Sequence, residues 1–392
     1  MWIVQEIVLA NDVIFVCGHW AASWTRLCRA TTVLMDNSAD ELSEATLRTG
    51  EFDHFGPALR GIGLLKRLKL LKHSMGSARL PEECPLSTLL LMGRSYNATD
   101  PLDKVYGILG LLRGLGTSSQ LEVRYRNMTV CDLYMRATER LYSEGKNLNF
   151  LRLVEVNRSI DQIRGHSLPS WAPDFTLPTS YPPIFSRMRF SPRWRDKVDV
   201  SRELSGTFAF TGDLQSRCTF DLRRKTIIVT GFRVDTIQTF STRIVDVVEN
   251  FKADGAVSYG KRICATQPDE VEESVLEGYW DSVLGQECGN ARAWVTAEQE
   301  VGVGNGPATP RVDPQCFQTA TMRLVGITDA AIAEDDCICG LLGLGVPCIL
   351  RRQQGSWRFV GLSGIMGPDI MLGSLTKGLE TGKFAVEEFA II

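Results

Sequence analysis

The chain has 392 residues, 44% hydrophobic and 23% charged, with a formal net charge of −3. That length corresponds to about two to three domains with real cores, and the near-neutral balance excludes a global attraction to nucleic acid or anionic lipid. No run of about 18 apolar residues occurs, so no membrane span is expected. Gln5, Glu6, Asn11 and Asp12 interrupt the first residues, so no secretory leader is expected and the expected location is cytoplasmic. Eleven cysteines without a leader read as small buried hydrophobes. The N-x-S/T triplets at Asn97, Asn127 and Asn157 then read as chance matches.

Residues 2–10 (WIVQEIVLA) predict a short strand or helix, followed by a turn at Asn11-Asp12. Trp20, Trp24, Leu27, Cys28, Thr31 and Leu34 recur at spacings of three and four, which predicts a buried helix over 20–34. Residues 36–63 read as a surface connection, and residues 64–72 (LLKRLKLLK) as an ordinary amphipathic helix with its lysines in water. Residues 85–95 predict a helix. In the next one Asp100 caps, Pro101 opens, and Val105, Ile108, Leu109 and Leu112 form a stripe ending at Gly110 or Gly114. Residues 128–144 predict a long helix capped by Thr129, and Leu148–Val156 a strand.

The prolines of Leu168-Pro169-Ser170-Trp171-Ala172-Pro173-Asp174-Phe175 exclude helix there. Residues 176–206 read as a boundary loop. Beyond it, Thr207–Gly212 and Lys225–Thr239 read as strands, Glu270–Leu284 as a helix and Gly302–Pro314 as a loop. Met322–Ile327, Cys337–Leu342, Cys348–Arg351 and Trp357–Leu362 predict further strands. The expected class is α+β, with a helical N-terminal half and a β-rich C-terminal subdomain forming a small twisted sheet or barrel. The expected divisions are 1–35, 36–200 and 201–392.

Phosphate loops, zinc-protease helices, nucleophile elbows and paired CxxC motifs are absent from the sequence. His19, His54, His73 and His166 stand at no metal-ligand spacing, and no cofactor or metal is expected. Cys337, Cys339 and Cys348 read as core thiols rather than three ligands of a soft metal. Glu6, in an apolar stretch, has two readings: a core carboxylate paired with Arg26 or Arg29, or a catalytic acid.

Several segments together resemble the fungal heterokaryon-incompatibility family. Trp2-Ile3-Val4-Gln5-Glu6 resembles the W-x-x-Q-E element that closes the family's domain, and residues 99–111 (TDPLDKVYGILGL) resemble its "ATDPRDKVYALLGL" element. Leu168–Phe175 resembles "LPSWVPDW", Arg233–Ile237 resembles "G…DTI", and Glu334–Arg351 resembles "GDVVCVLLGGRVPFVLR". The family's opening elements, "YxALSYxWG" and "WIDALCINQ", have no counterpart, so residues 1–35 are expected to be the end of a truncated incompatibility domain. The resemblance implies non-self recognition, regulated cell death and a protein partner. Through a likeness of that domain to TIR folds it also raises an alternative, a residual NAD hydrolase with Glu6 as its acid; a second form of that alternative, an accessory enzyme recruited to a fungal secondary-metabolite pathway, rests on no sequence motif.

Overall fold

The computed structural model describes residues 2–37, 62, 65, 66, 69, 85–94, 96–114, 121–154, 167–177, 209–241, 315–365, 368–371 and 373–392. The expected helix Glu270–Leu284, the loop Gly302–Pro314, most of 36–63 and of 176–206, and His54, His73 and His166 lie outside these residues. Helices and strands are both present, with a mixed sheet in the C-terminal part, so the class is α+β. The chain divides into two compact units, Met1–Ala137 with Phe175–Thr179, and Thr138–Asp174 with Ser180–Ile392.

The first unit contains α1 (Trp2–Leu9), the hairpin β1 (Ile14–Cys17) and β2 (Trp20–Ser23), and α2 (Trp24–Asn37). Helical residues 62, 65, 66 and 69, then α3 (Pro85–Gly93), α4 (Asp103–Gly114) and the start of α5 (Val130–Gly145) follow. The helix expected over 20–34 is thus a strand followed by a helix. The two-residue turn Gly18-His19, with Gly18 at φ +60°, reverses the chain as a type II′ turn allows, and Trp20 pairs with Cys17.

α4 is the centre of this unit. Val105, Tyr106, Ile108, Leu109, Leu111 and Leu112 are all buried, and a helix that is apolar on nearly every side belongs inside a core. Its entry follows from the sequence. The Asp100 carboxylate accepts the Leu102 N–H at 2.9 Å, in the turn that Pro101 opens. Both buried phenols find acceptors: Tyr106 donates to the Arg124 carbonyl and Tyr134 to the Pro101 carbonyl, each at 2.8 Å. On α5, Thr129 accepts the Asp132 N–H at 3.0 Å and donates to its carboxylate at 2.7 Å.

The second unit holds a nine-stranded sheet. Its strands are β3 (Cys218–Asp221), β4 (Thr226–Ser241), β5 (Gln315–Thr319), β6 (Val325–Thr328), β7 (Cys337–Leu341), β8 (Cys348–Gln353), β9 (Ser356–Leu362), β10 (Gly364–Ile365) and β11 (Val386–Ile391). The short helices α6 (Pro368–Met371) and α7 (Lys377–Glu380) precede the last strand. β4 pairs with β11, β11 with β9, β9 with β8, β8 with β7, and β7 returns to β4, so these pairings form a closed ring. Only β9 and β11 run parallel among the described pairings. Register shifts after Arg233 and Ile237 bend β4, and its far end pairs with β5, which leads on to β6 and β10. Phe232 fills the interior, stacked on Phe210 at 6.4 Å and against Phe384 at 5.6 Å.

Two expected strands are not strands. Leu148–Val156 contains a 3-10 helix at Asn149–Leu153. Asn147 accepts the Asn149 N–H at 3.0 Å, which starts a local turn, and the adjacent Phe150 and Leu151 are both buried, which an alternating strand with one wet face does not allow. At Thr207–Gly212 the described part is a turn, with the Gly212 N–H on the Ala209 carbonyl at 2.7 Å.

Asp235 holds the bend of β4. Its carboxylate accepts the backbone N–H groups of Thr236 (2.9 Å), Thr321 (3.1 Å) and Met322 (2.5 Å). Burial pushes this carboxyl up, but those bonds and the Thr319 hydroxyl together outweigh burial and hold it below the ordinary value of 3.8. A depressed folded value means stability that is present above the ordinary range and lost as pH falls through the folded value. The stability gap between wild type and Asp235→Asn is therefore expected to be widest near about pH 7 and to close below about pH 4. Urea midpoints at both pH values check this; a gap independent of pH contradicts it.

Candidate functional site

The segments singled out in the sequence occupy two places, one in each unit. In the first unit, α1 packs on α4 through Gln5 of the Q-E element. Gln5 donates its amide to the Gly107 carbonyl. A Cβ at Gly110 would sit 2.6 Å from Gln5 Cδ and 2.7 Å from its Nε2. Gly110 therefore does not end the helix, as its position in the sequence suggested; it makes room for Gln5 in mid-helix. Val4, Ile7 and Val8 are buried beside it.

Two buried ammonium groups close helix ends here. Lys104 donates to the carbonyls of Arg94, at 3.2 Å, and Tyr96, just past α3. Lys69 donates to the carbonyls of Ile7 (3.0 Å) and Ala10 (2.7 Å) at the end of α1, and its Nζ lies 5.8 Å from the centre of the Trp24 ring. A cation at a helix C-terminus satisfies carbonyls that have no intrahelical partner and opposes the helix dipole. For Lys69 this corrects the expectation that the lysines of residues 64–72 lie in water. Alternating Leu and Lys cannot show which lysine faces a helix end.

Glu6 is exposed, on a different side of α1 from the buried Val4, Ile7 and Val8, and Arg26 and Arg29 are exposed too. No ion pair joins them among the described residues, so the core-carboxylate reading is corrected. Apolar neighbours in sequence do not bury a residue whose helical angle points outward. His19 is exposed at the hairpin turn, with its ring 5.2 Å from Trp20.

In the second unit, the Leu-Pro-Ser-Trp segment clasps strand ends. Ser170 donates its hydroxyl to the Ile392 backbone oxygen, its N–H reaches the same oxygen at 3.1 Å, and its Oγ accepts the Phe359 N–H at 2.9 Å. Trp171 is fully buried and donates to the Lys225 carbonyl at 3.0 Å, its ring edge-on to Phe220 at 5.5 Å. Asp336, at 1% exposure, takes Arg351 Nε at 2.7 Å and its amino nitrogen at 2.8 Å.

Cys337, Cys339 and Cys348 are buried, with Cys339 directly opposite Cys348 across β7 and β8. Burial pushes the Cys339 and Cys348 thiols up, so they stay protonated and make poor nucleophiles. No cluster of three His, Cys, Asp or Glu suited to a metal occurs among the described residues. No helix among them is long and apolar enough to cross a membrane.

The feature that sequence reasoning missed is the hairpin. Ile14, Val16 and Trp20 are 69%, 72% and 72% exposed. The signal was present as alternating β-branched residues before a Gly-X turn, masked by the stronger helical spacing around it.

No family model and no solved structure matches the chain. The chain is similar to heterokaryon incompatibility protein 6, OR allele, of Neurospora crassa, 24% identical over 190 residues. The match covers 45% of this chain and 27% of that protein, so the chain spans about a quarter of its relative's length.

Proposed function

We propose that this chain is an interaction or regulatory protein of the heterokaryon-incompatibility type, non-enzymatic as it stands, which serves non-self recognition or regulated cell death through a protein partner. The observation that carries this reading is how the family-like segments are used. Gln5 bonds the α4 backbone, Lys104 closes α3, Asp235 holds a turn, and Ser170 and Trp171 clasp strand ends. Each acts on backbone groups of the fold. The similarity to an incompatibility protein supports the same reading.

The alternative, an NAD hydrolase using Glu6, calls for an acid placed in a water-poor pocket against its substrate. The exposure of Glu6 favours the interaction reading instead. The test is purified full-length chain incubated with NAD beside Glu6→Gln, with expression of the wild type in a filamentous fungus. Neither protein is expected to consume NAD above a protein-free control, and growth is expected to be unimpaired. NAD cleavage by the wild type, whether or not Glu6→Gln retains it, or cell death on expression of this chain with no incompatible partner present, would overturn the proposal.

A further inference from the structure

We propose that the outer edge of β1 is a self-association site, pairing with β1 of a second copy about a two-fold axis centred on Phe15.

The hairpin is a sheet of two strands, and sheets that small are marginal without a third strand or a covering layer. Its register pairs Ile14 with Ser23, Phe15 with Ala22, Val16 with Ala21 and Cys17 with Trp20. A two-residue turn makes Cys17 and Trp20 a hydrogen-bonded pair, and the Trp24 N–H on the Val13 carbonyl at 2.9 Å continues the same parity. The N–H and C=O groups of Ile14 and Val16 therefore point away from β2. No hydrogen bond reaches them among the described residues, and their side chains share one face that is open to water.

Strand edges in soluble proteins are commonly protected by lysine, proline, a bulge or a covering element. This one carries none of the first three: the segment Val13–Trp24 contains no Lys, Arg, Asp, Glu or Pro, and its register is unbroken. The absence of charge also selects the occupant, because two identical strands meet with no like-charge repulsion.

The parity fits a copy of itself. Antiparallel pairing centred on Phe15 sets Ile14 opposite Val16 of the second copy, and Val16 opposite its Ile14. Both are positions whose backbone groups point outward, so roughly four N–H···O bonds form. The two-stranded sheets merge into four strands, isologous across the axis. Ile14 and Val16 of both copies then lie side by side on one face, and the two Phe15 rings face each other on the other, a favourable cross-strand pair. The hairpin has room for this. Cys17 and Trp20, on the Phe15 face, are exposed too, and the second copy approaches in the opposite strand direction. β2 is a poorer edge, since its outward positions are Ala21 and Ser23.

Sedimentation velocity of the full-length chain from about 1 to about 100 μM tests this. The sedimenting mass is expected to double across the series. Ile14→Lys/Val16→Lys sets lysine against lysine across the axis and is expected to stay monomeric, with an unchanged far-ultraviolet spectrum. Ile14→Glu/Val16→Glu is expected to be monomeric alone and to restore the doubled mass when mixed with the lysine variant. Ala21→Lys/Ser23→Lys, on the other edge, keeps the wild-type dimer. A wild type that remains monomeric throughout, a lysine variant at Ile14 and Val16 that still dimerises, or a dimer lost equally with charges on β2 would overturn the proposal.

Discussion

Replacing Trp171 with alanine is expected to lower the unfolding free energy by about 4 kcal/mol, at the upper end of the range for large-to-small core changes. Pro169 and Pro173 keep the segment out of a helix, so it turns at 170–172 and delivers the indole to the end of β3 and the start of β4. There the ring is fully buried, edge-on to Phe220, and its N–H is bonded to the Lys225 carbonyl. Alanine removes the packing, leaves a cavity and strands that carbonyl. Trp171→Phe keeps most of the volume and loses the donor, so about 1–2 kcal/mol is expected. Urea unfolding followed by circular dichroism measures both. A Trp171→Ala loss under about 1 kcal/mol would show that the clasp is dispensable.

The second large effect is expected at Asp336. Removing its carboxylate in Asp336→Ala costs about 2–3 kcal/mol. The carboxylate sits in a tight turn, after Asp335 at φ +65°, and accepts the Ala333 N–H at 2.8 Å as well as both Arg351 nitrogens. Arg351 also donates to the Ala331 carbonyl at 3.0 Å, so one ion pair ties the turn to β8. The Arg351 side chain is 39% exposed, so its charge reaches water when the partner is lost. That keeps the cost below that of breaking a fully buried pair. Asp336→Ala/Arg351→Met is expected to recover part of the loss, because no unpaired guanidinium remains, while the Ala333 N–H and the Ala331 carbonyl still lose their partners. If the double variant is less stable than the sum of the single changes, the pair is not the cause.

Local chemistry was legible at positions where one residue acts on its own turn. Asp100, Pro101 and Thr129 mark helix starts because their partners lie within three residues. The stripe Val105, Ile108, Leu109 and Leu112 was legible because helical period alone places it, and all four residues are buried. Periodicity failed where two signals competed. Trp20 fits the helical spacing of α2, yet Gly18 reverses the chain before the helix starts and puts Trp20 in a strand. Leu148–Val156 is apolar enough for a strand, but Asn147 bends the backbone first.

The candidate sites divide the same way. Cys337, Cys339 and Cys348 are buried in the core, as residue type suggested. Glu6 did not follow its neighbours, since one step of helical angle separates the buried Ile7 from an exposed carboxylate. Composition, caps and period by themselves determined an α+β chain, its capped helices and most of the C-terminal strands, because these depend on contacts within a few residues. Only the tertiary structure decided that Lys69 closes α1 from 62 residues away in sequence, that Gln5 reaches the α4 backbone, and that β4 returns to β7. These are long-range matches between a polar group and a backbone end. Nothing in the local sequence encodes them, because the partner is chosen by packing.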